Sequence, residues 1–136
     1  MFAQYHIEIN QAALGELFGP TALAAINQAN LRQDSLIGQI GHPEYHFDDG
    51  RKAGVSALAD GLAFVDRQQQ LLLTSLQQNN PPEAWKAFGR LGHAVQDFYA
   101  HSNYVALWRE HYAQSTGETI QPLDAGVLTD ARLAFG

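Results

Sequence analysis

The residues best suited to chemistry lie in the run Leu91-Gly-His93-Ala-Val-Gln-Asp97-Phe-Tyr-Ala-His101-Ser-Asn103. His93, Asp97 and His101 follow at intervals of four, so on a helix each lies about 40° further round than the last. All three then project from one face, within an arc of about 80°. Two imidazoles and a carboxylate at that spacing suit Zn²⁺, with iron or manganese as weaker fits. The same spacing also describes a plain amphipathic helix whose polar side holds two histidines. Phe98, Tyr99 and Trp108 beside the row argue against a merely solvated face.

A second group is Glu44-Tyr45-His46-Phe47-Asp48-Asp49, just before a helix start, where either aspartate could serve as a cap. Asp34 closes the run Asn30-Leu-Arg-Gln-Asp34, where a helix finishes; a carboxylate there opposes the macrodipole and wants another partner. His6 stands ahead of the first helix, His42 reads as a loop residue and His111 as a surface one. A histidine of the His93 row with Asp97, completed by His46 and Asp34, would give a site of four protein ligands. Oxygen and nitrogen donors of this kind match hydrolytic rather than purely structural zinc. Asp97, in the middle of its row, is placed to bridge two metals, and such pairs clamp the oxygens of a phosphoester displacement.

The elements that must position these residues are helical. One segment spans about Asn10 to Leu31, broken at Gly19-Pro20, where proline can open a second helix. A loop with two glycines and a proline follows from Gly38 to Glu44. The next helix starts near Asp49 or Gly50 and runs to about Gln78, with Val55, Leu58, Leu62, Val65, Leu72 and Leu76 as its apolar stripe. Asn79-Asn80-Pro81-Pro82 stops it and starts a third, from about Glu83 to Ser115. A weaker segment covers Leu123 to Phe135. No strand pattern appears. The expectation is an all-α chain, a compact bundle of four to six helices around a metal site, forming one domain over 1–136 that reads as truncated at its C-terminus.

Composition narrows the partners. The chain has 136 residues, 46% of them hydrophobic, which suits a packed core, and no cysteine, which removes disulfides and thiolate sites. Eight Lys and Arg against 14 Asp and Glu give a net charge of −6, so no stable nucleic-acid binding is expected. The start lacks a basic region followed by an apolar run, so no signal peptide is read and the cytoplasm is the default compartment. No stretch reads as transmembrane.

With these residues in view, Leu91-Gly-His-Ala-Val-Gln-Asp-Phe-Tyr-Ala-His-Ser-Asn-Tyr-Val105 resembles the core helix of bacterial homologues of the heterokaryon-incompatibility protein HET-C, relatives of the zinc-dependent phospholipase C and P1 nuclease superfamily. Gly41-His-Pro-Glu-Tyr-His-Phe-Asp-Asp49 is similar to the second family motif. The resemblance implies a phospholipase C/P1 nuclease-like core with one to three Zn²⁺. Asp34, His46, His93 and Asp97 would hold the first ion. Asp97 would bridge to a second that His6 also binds, and His101 would begin a third site. The sequence departs from those enzymes in the three-residue gap between Asp97 and His101, where they have five, and in lacking their downstream His-x₃-Glu pair.

The function so implied is a phosphodiester hydrolase in which Asp97 and Asp34 serve catalysis and a metal-bound hydroxide attacks a phospholipid head group or small phosphoester. Tyr45, Asp48, Tyr99 and Asn103 are candidates for its substrate pocket. The alternative is a HET-C-like helical interaction domain with a structural metal, little or no catalysis, and a protein partner or a second copy as its target.

Overall fold

A computed structural model describes residues 1–48, 56–113 and 123–136. Its helices are α1 (Ala3–Leu14), α2 (Pro20–Leu31), α3 (Leu36–Gly41), α4 (Ala57–Gln77), α5 (Pro81–Ala100), α6 (Tyr104–His111) and the single turn α7 (Ala125–Leu128). Short 3₁₀ turns at Arg32–Asp34 and Pro43–Tyr45 complete the order. Among the described residues there is no strand, only an isolated antiparallel bridge between Ser102 and Phe135. The fold is all-α, as expected. No helix among the described residues is long and apolar enough to cross a membrane.

Helix α5 is the centre, with α2 and α4 packed along it and α1 against α2. Asn80 caps it by accepting the Glu83 N–H, and the prolines sit in its first turn, where a missing N–H costs nothing. Its inner positions are Ala84, Ala87, Gly89, His93, Ala94, Asp97 and Phe98, small residues first and chemistry last. Gly89 lets α2 come close: a Cβ there would stand 2.3 Å from the Ile26 carbonyl oxygen.

The apolar core lies on the other flank of α5. Phe47, Phe64, Ala94, Phe98, Tyr104, Leu107 and Val127 form it, with Tyr45, Tyr99, Trp108 and Phe135 packed around. Phe47 holds φ 52°, a left-handed backbone that a non-glycine residue adopts only under constraint. Its ring pays for that by lying flat against Gly61, where a Cβ would be 2.4 Å away, and edge-on to Phe98. The turn leaves His46, one residue earlier, against α5 at Asp97.

Several expected boundaries move. The first helix begins at Ala3 rather than Asn10, so His6 is inside it and fully buried. Helix α3 carries the chain through residues 38–41, where the start of a loop was expected. The third expected helix ends at Ala100, and the chain bends before α6. Helix α4 is capped by Ser56, not by Asp48. The expected start of that helix, with Asp49 and Val55, lies outside the described residues. Of the last expected helix only α7 forms, because the tail instead runs back beside Ser102 and Asn103.

Candidate metal centre

Helix α1 buries two polar residues, His6 and Asn10, one turn apart. Buried polar groups need partners, and a ladder of amides across three helices supplies them. His6 Nδ1 lies 2.6 Å from Gln96 Oε1, which also accepts from Asn30 Nδ2 at 3.0 Å. Gln96 Nε2 donates to Asn10 Oδ1, and Asn10 Nδ2 donates to Asn27 Oδ1, both at 2.8 Å. His93 Nδ1 faces Asn30 Oδ1 at 3.3 Å. Since Gln96 and Asn30 present oxygens, both histidines carry their proton on Nδ1, leaving a lone pair on each Nε2.

Those Nε2 atoms point at carboxylates. His6 Nε2 lies 3.5 Å from Asp34 Oδ2 and 3.5 Å from Asp97 Oδ1. His93 Nε2 lies 3.7 Å from Asp34 Oδ1 and 3.1 Å from Asp97 Oδ2. His46 Nδ1 joins the second set, 2.8 Å from Asp97 Oδ2, 3.0 Å from His93 Nε2 and 4.0 Å from Asp34 Oδ1. Each aspartate therefore divides its two oxygens between the His6 side and the His46/His93 side. The ligand atoms of His6, Asp34, His93 and Asp97 all lie within 4.8 Å of one another. Two ligands about 2.1 Å from a tetrahedral zinc stand about 3.4 Å apart, close to these separations.

The electrostatics suit a cation. His6, His93 and Asp97 are wholly buried. Burial pushes the His93 imidazole below its ordinary pKa against the pull of Asp97, which favours the neutral ring that a metal requires. Burial alone would raise Asp97, but the close His46 and His93 rings and the Met1 ammonium outweigh it and hold the carboxyl well below the usual carboxylate range. His6 Nε2 and His46 Nε2 are buried without a hydrogen-bond partner among the described residues. Lone pairs facing carboxylate oxygens, with orphaned ring nitrogens beside them, fit a divalent ion.

The other candidates are placed differently. His101 follows α5 as its C-cap, with Nε2 3.9 Å from Asp97 Oδ2. Together with Met1, Asp34, His46, Asp48 and Asp97 it lines a 230 Å³ space over the cluster. Tyr45 and Tyr99 pack on the apolar core. Asn103 clamps the tail, donating to the Arg132 carbonyl and accepting from the Ala134 N–H. His42 stacks on Tyr45 and pairs with Glu44, and His111 is exposed. The supporting residues Gln96, Asn10, Asn27 and Asn30 carry no motif. Their signal is the four-residue interval of His6 and Asn10, a polar pair repeating on one helix face.

Comparison with known proteins changes the family. The model of the VWA7 N-terminal domain matches residues 6–125. Von Willebrand factor A domain-containing protein 7 of Rattus norvegicus is 33% identical over 86 residues, covering 63% of this chain and 9% of the relative. The Mus musculus protein of that name is 34% identical over 91 residues, 63% of this chain and 9% of the relative. The Homo sapiens protein is 32% identical over 97 residues, 66% and 10% respectively. The chain thus spans about a tenth of the length of the curated relatives it matches. No solved structure matches it.

These matches overturn the resemblance to HET-C and to the phospholipase C/P1 nuclease superfamily, and with it the phosphodiester hydrolase reading and its attacking hydroxide. The physical reason is how little the motif specifies. His93-x₃-Asp97 needs only one helical turn, a spacing that any helix can supply. The chain belongs to the VWA7 N-terminal domain family.

Proposed function

We propose that the chain is a non-catalytic helical domain with a structural zinc, a single unit through which a larger protein makes protein contacts. Asp34, His46, His93 and Asp97 would hold one ion. His6, with the second oxygens of Asp34 and Asp97, offers a further position, and His101 stands at the rim. Bound there, the metal would cross-link the turn after α2, the turn before Phe47 and α5, three pieces of chain otherwise joined by polar contacts.

The observation that carries this reading is the pair of lone-pair nitrogens, His6 Nε2 and His93 Nε2, set by amide partners to face two carboxylates. Besides the Met1 ammonium, 3.4 Å from Asp97 Oδ1, a bound metal would supply the positive charge that these facing acceptors call for. The relatives are named for a von Willebrand factor A domain and are some seven times longer, which suits a module that serves a larger architecture.

A strong chelator tests the proposal. Metal binding that stabilises only the folded chain contributes about 4 kcal/mol at a thousandfold excess over Kd, which is about 10 °C or more in melting temperature for a domain this size. Chelation should lower the melt by that amount and zinc should restore it. A melt unmoved by both treatments overturns the structural-metal reading.

A further inference from the structure

The chain is acidic overall, yet three of its eight basic residues line one notch. Arg32, from the 3₁₀ turn after α2, and Lys86 and Arg90, one turn apart on α5, meet Ala25, Gln28, Ala29 and Gln33 around an 80 Å³ cleft. No carboxylate is among its lining residues. The cleft exists because α2 and α5 approach closely at Gly89, bringing the end of one helix beside the middle of the other. It lies apart from the His/Asp cluster, whose residues do not line it.

Two of the three positive charges in this notch, those of Arg32 and Arg90, have no ion-pair partner among the described residues. The Arg32 side chain makes no hydrogen bond or ion pair among the described residues. Among the described residues Arg90 engages only through Nε, which donates to Gln68 Oε1 at 2.7 Å and leaves the two terminal nitrogens without a partner there. Lys86 pairs with Glu83 at 2.6 Å on the exposed side of the helix. A second observation is independent of charge. Gln33 is 6% exposed and lines the same notch; its Nε2 donates to the Ala29 carbonyl, while its Oε1 is buried without a partner.

The geometry points to an oxyanion site here, and its ligand chemistry is a phosphate group. Guanidinium forks pair with tetrahedral oxyanions through parallel charge-assisted hydrogen bonds. The 80 Å³ cleft has room for one phosphate group. The phosphate would be a free ion or one borne on a serine or threonine of a partner protein.

The test is an NMR titration of the zinc-loaded chain with inorganic phosphate and, separately, with phosphoserine, at fixed ionic strength, following the arginine Nε–H signals. Saturable shifts at Arg32 and Arg90 are expected. Arg32→Gln should weaken the binding at least about tenfold, as loss of a charged hydrogen-bond partner does. That variant removes a side chain with no partner among the described residues, and Arg109→Gln, on α6, serves as the control that leaves affinity unchanged. Tighter binding of phosphoserine assigns the phosphate to a protein, and tighter binding of the inorganic ion assigns it to a free ligand. No saturable shift with either probe, or equal affinity in the parent and Arg32→Gln, overturns the site.

Discussion

At the scale of single residues, the account turns on which atoms of the histidines stay free. Gln96 receives from His6 and Asn30 and gives to Asn10, so one side chain fixes three others. Gln96→Leu keeps the volume and removes every one of these bonds. Leaving buried polar groups unpaired costs about 1–3 kcal/mol, and loss of an outer partner of a ligating histidine lowers metal affinity about 10–100-fold. Chemical denaturation and competition with a chromogenic chelator should read both effects; unchanged stability and affinity would show that the ladder does not set the ring orientation. Tyr104→Phe is a milder case, since its hydroxyl accepts the Asp124 N–H at 2.7 Å, and a loss of about 1 kcal/mol is expected by the same denaturation. His93 and Asp97 were legible in the sequence because their four-residue spacing is a pattern. His6 was reached only through the family resemblance, because the residue pattern placed it ahead of the first helix, where the buried face it shares with Asn10 does not show.

At the scale of elements, the close crossing of α2 and α5 positions both the His/Asp cluster and the basic notch. Gly89→Ala tests it. Alanine gains about 1 kcal/mol in helix propensity, but its Cβ would meet the Ile26 carbonyl and the Ala29 methyl at 2.3 and 2.9 Å, and backbone must move. Overpacking of this kind costs about 1–3 kcal/mol, so the variant should melt lower despite its better helix former; a higher melting temperature would contradict the crossing. Helical class and the central helix were legible from apolar periodicity and from the Asn-Asn-Pro-Pro start. The helix ends were not. The bend after Ala100 follows from tertiary bonds to the tail, the Asn103 clamp and the Ser102–Phe135 bridge, which no local propensity announces.

For the whole molecule, the tail is fastened by an exposed clasp in which Arg132 joins Asp130 and Glu110. The Arg132 hydrogen bonds hold the Asp130 carboxyl down at about 2. A depressed carboxylate stabilises the fold above its unfolded value, near 4, and that contribution fades as pH falls towards 2. The stability deficit of Asp130→Asn should therefore be small, present at neutral pH, and shrink between pH 4 and 2; a deficit constant across that window would deny the clasp. The family itself was not legible: a short His/Asp motif suggested a hydrolase, whereas the match over residues 6–125 gives the VWA7 N-terminal domain. The most direct measurement of the central claim is metal content by elemental analysis of untagged protein, beside His93→Ala. The account predicts zinc at one equivalent or more in the parent and its loss in the variant. A folded parent that carries no divalent metal, even after dialysis against zinc, would contradict it.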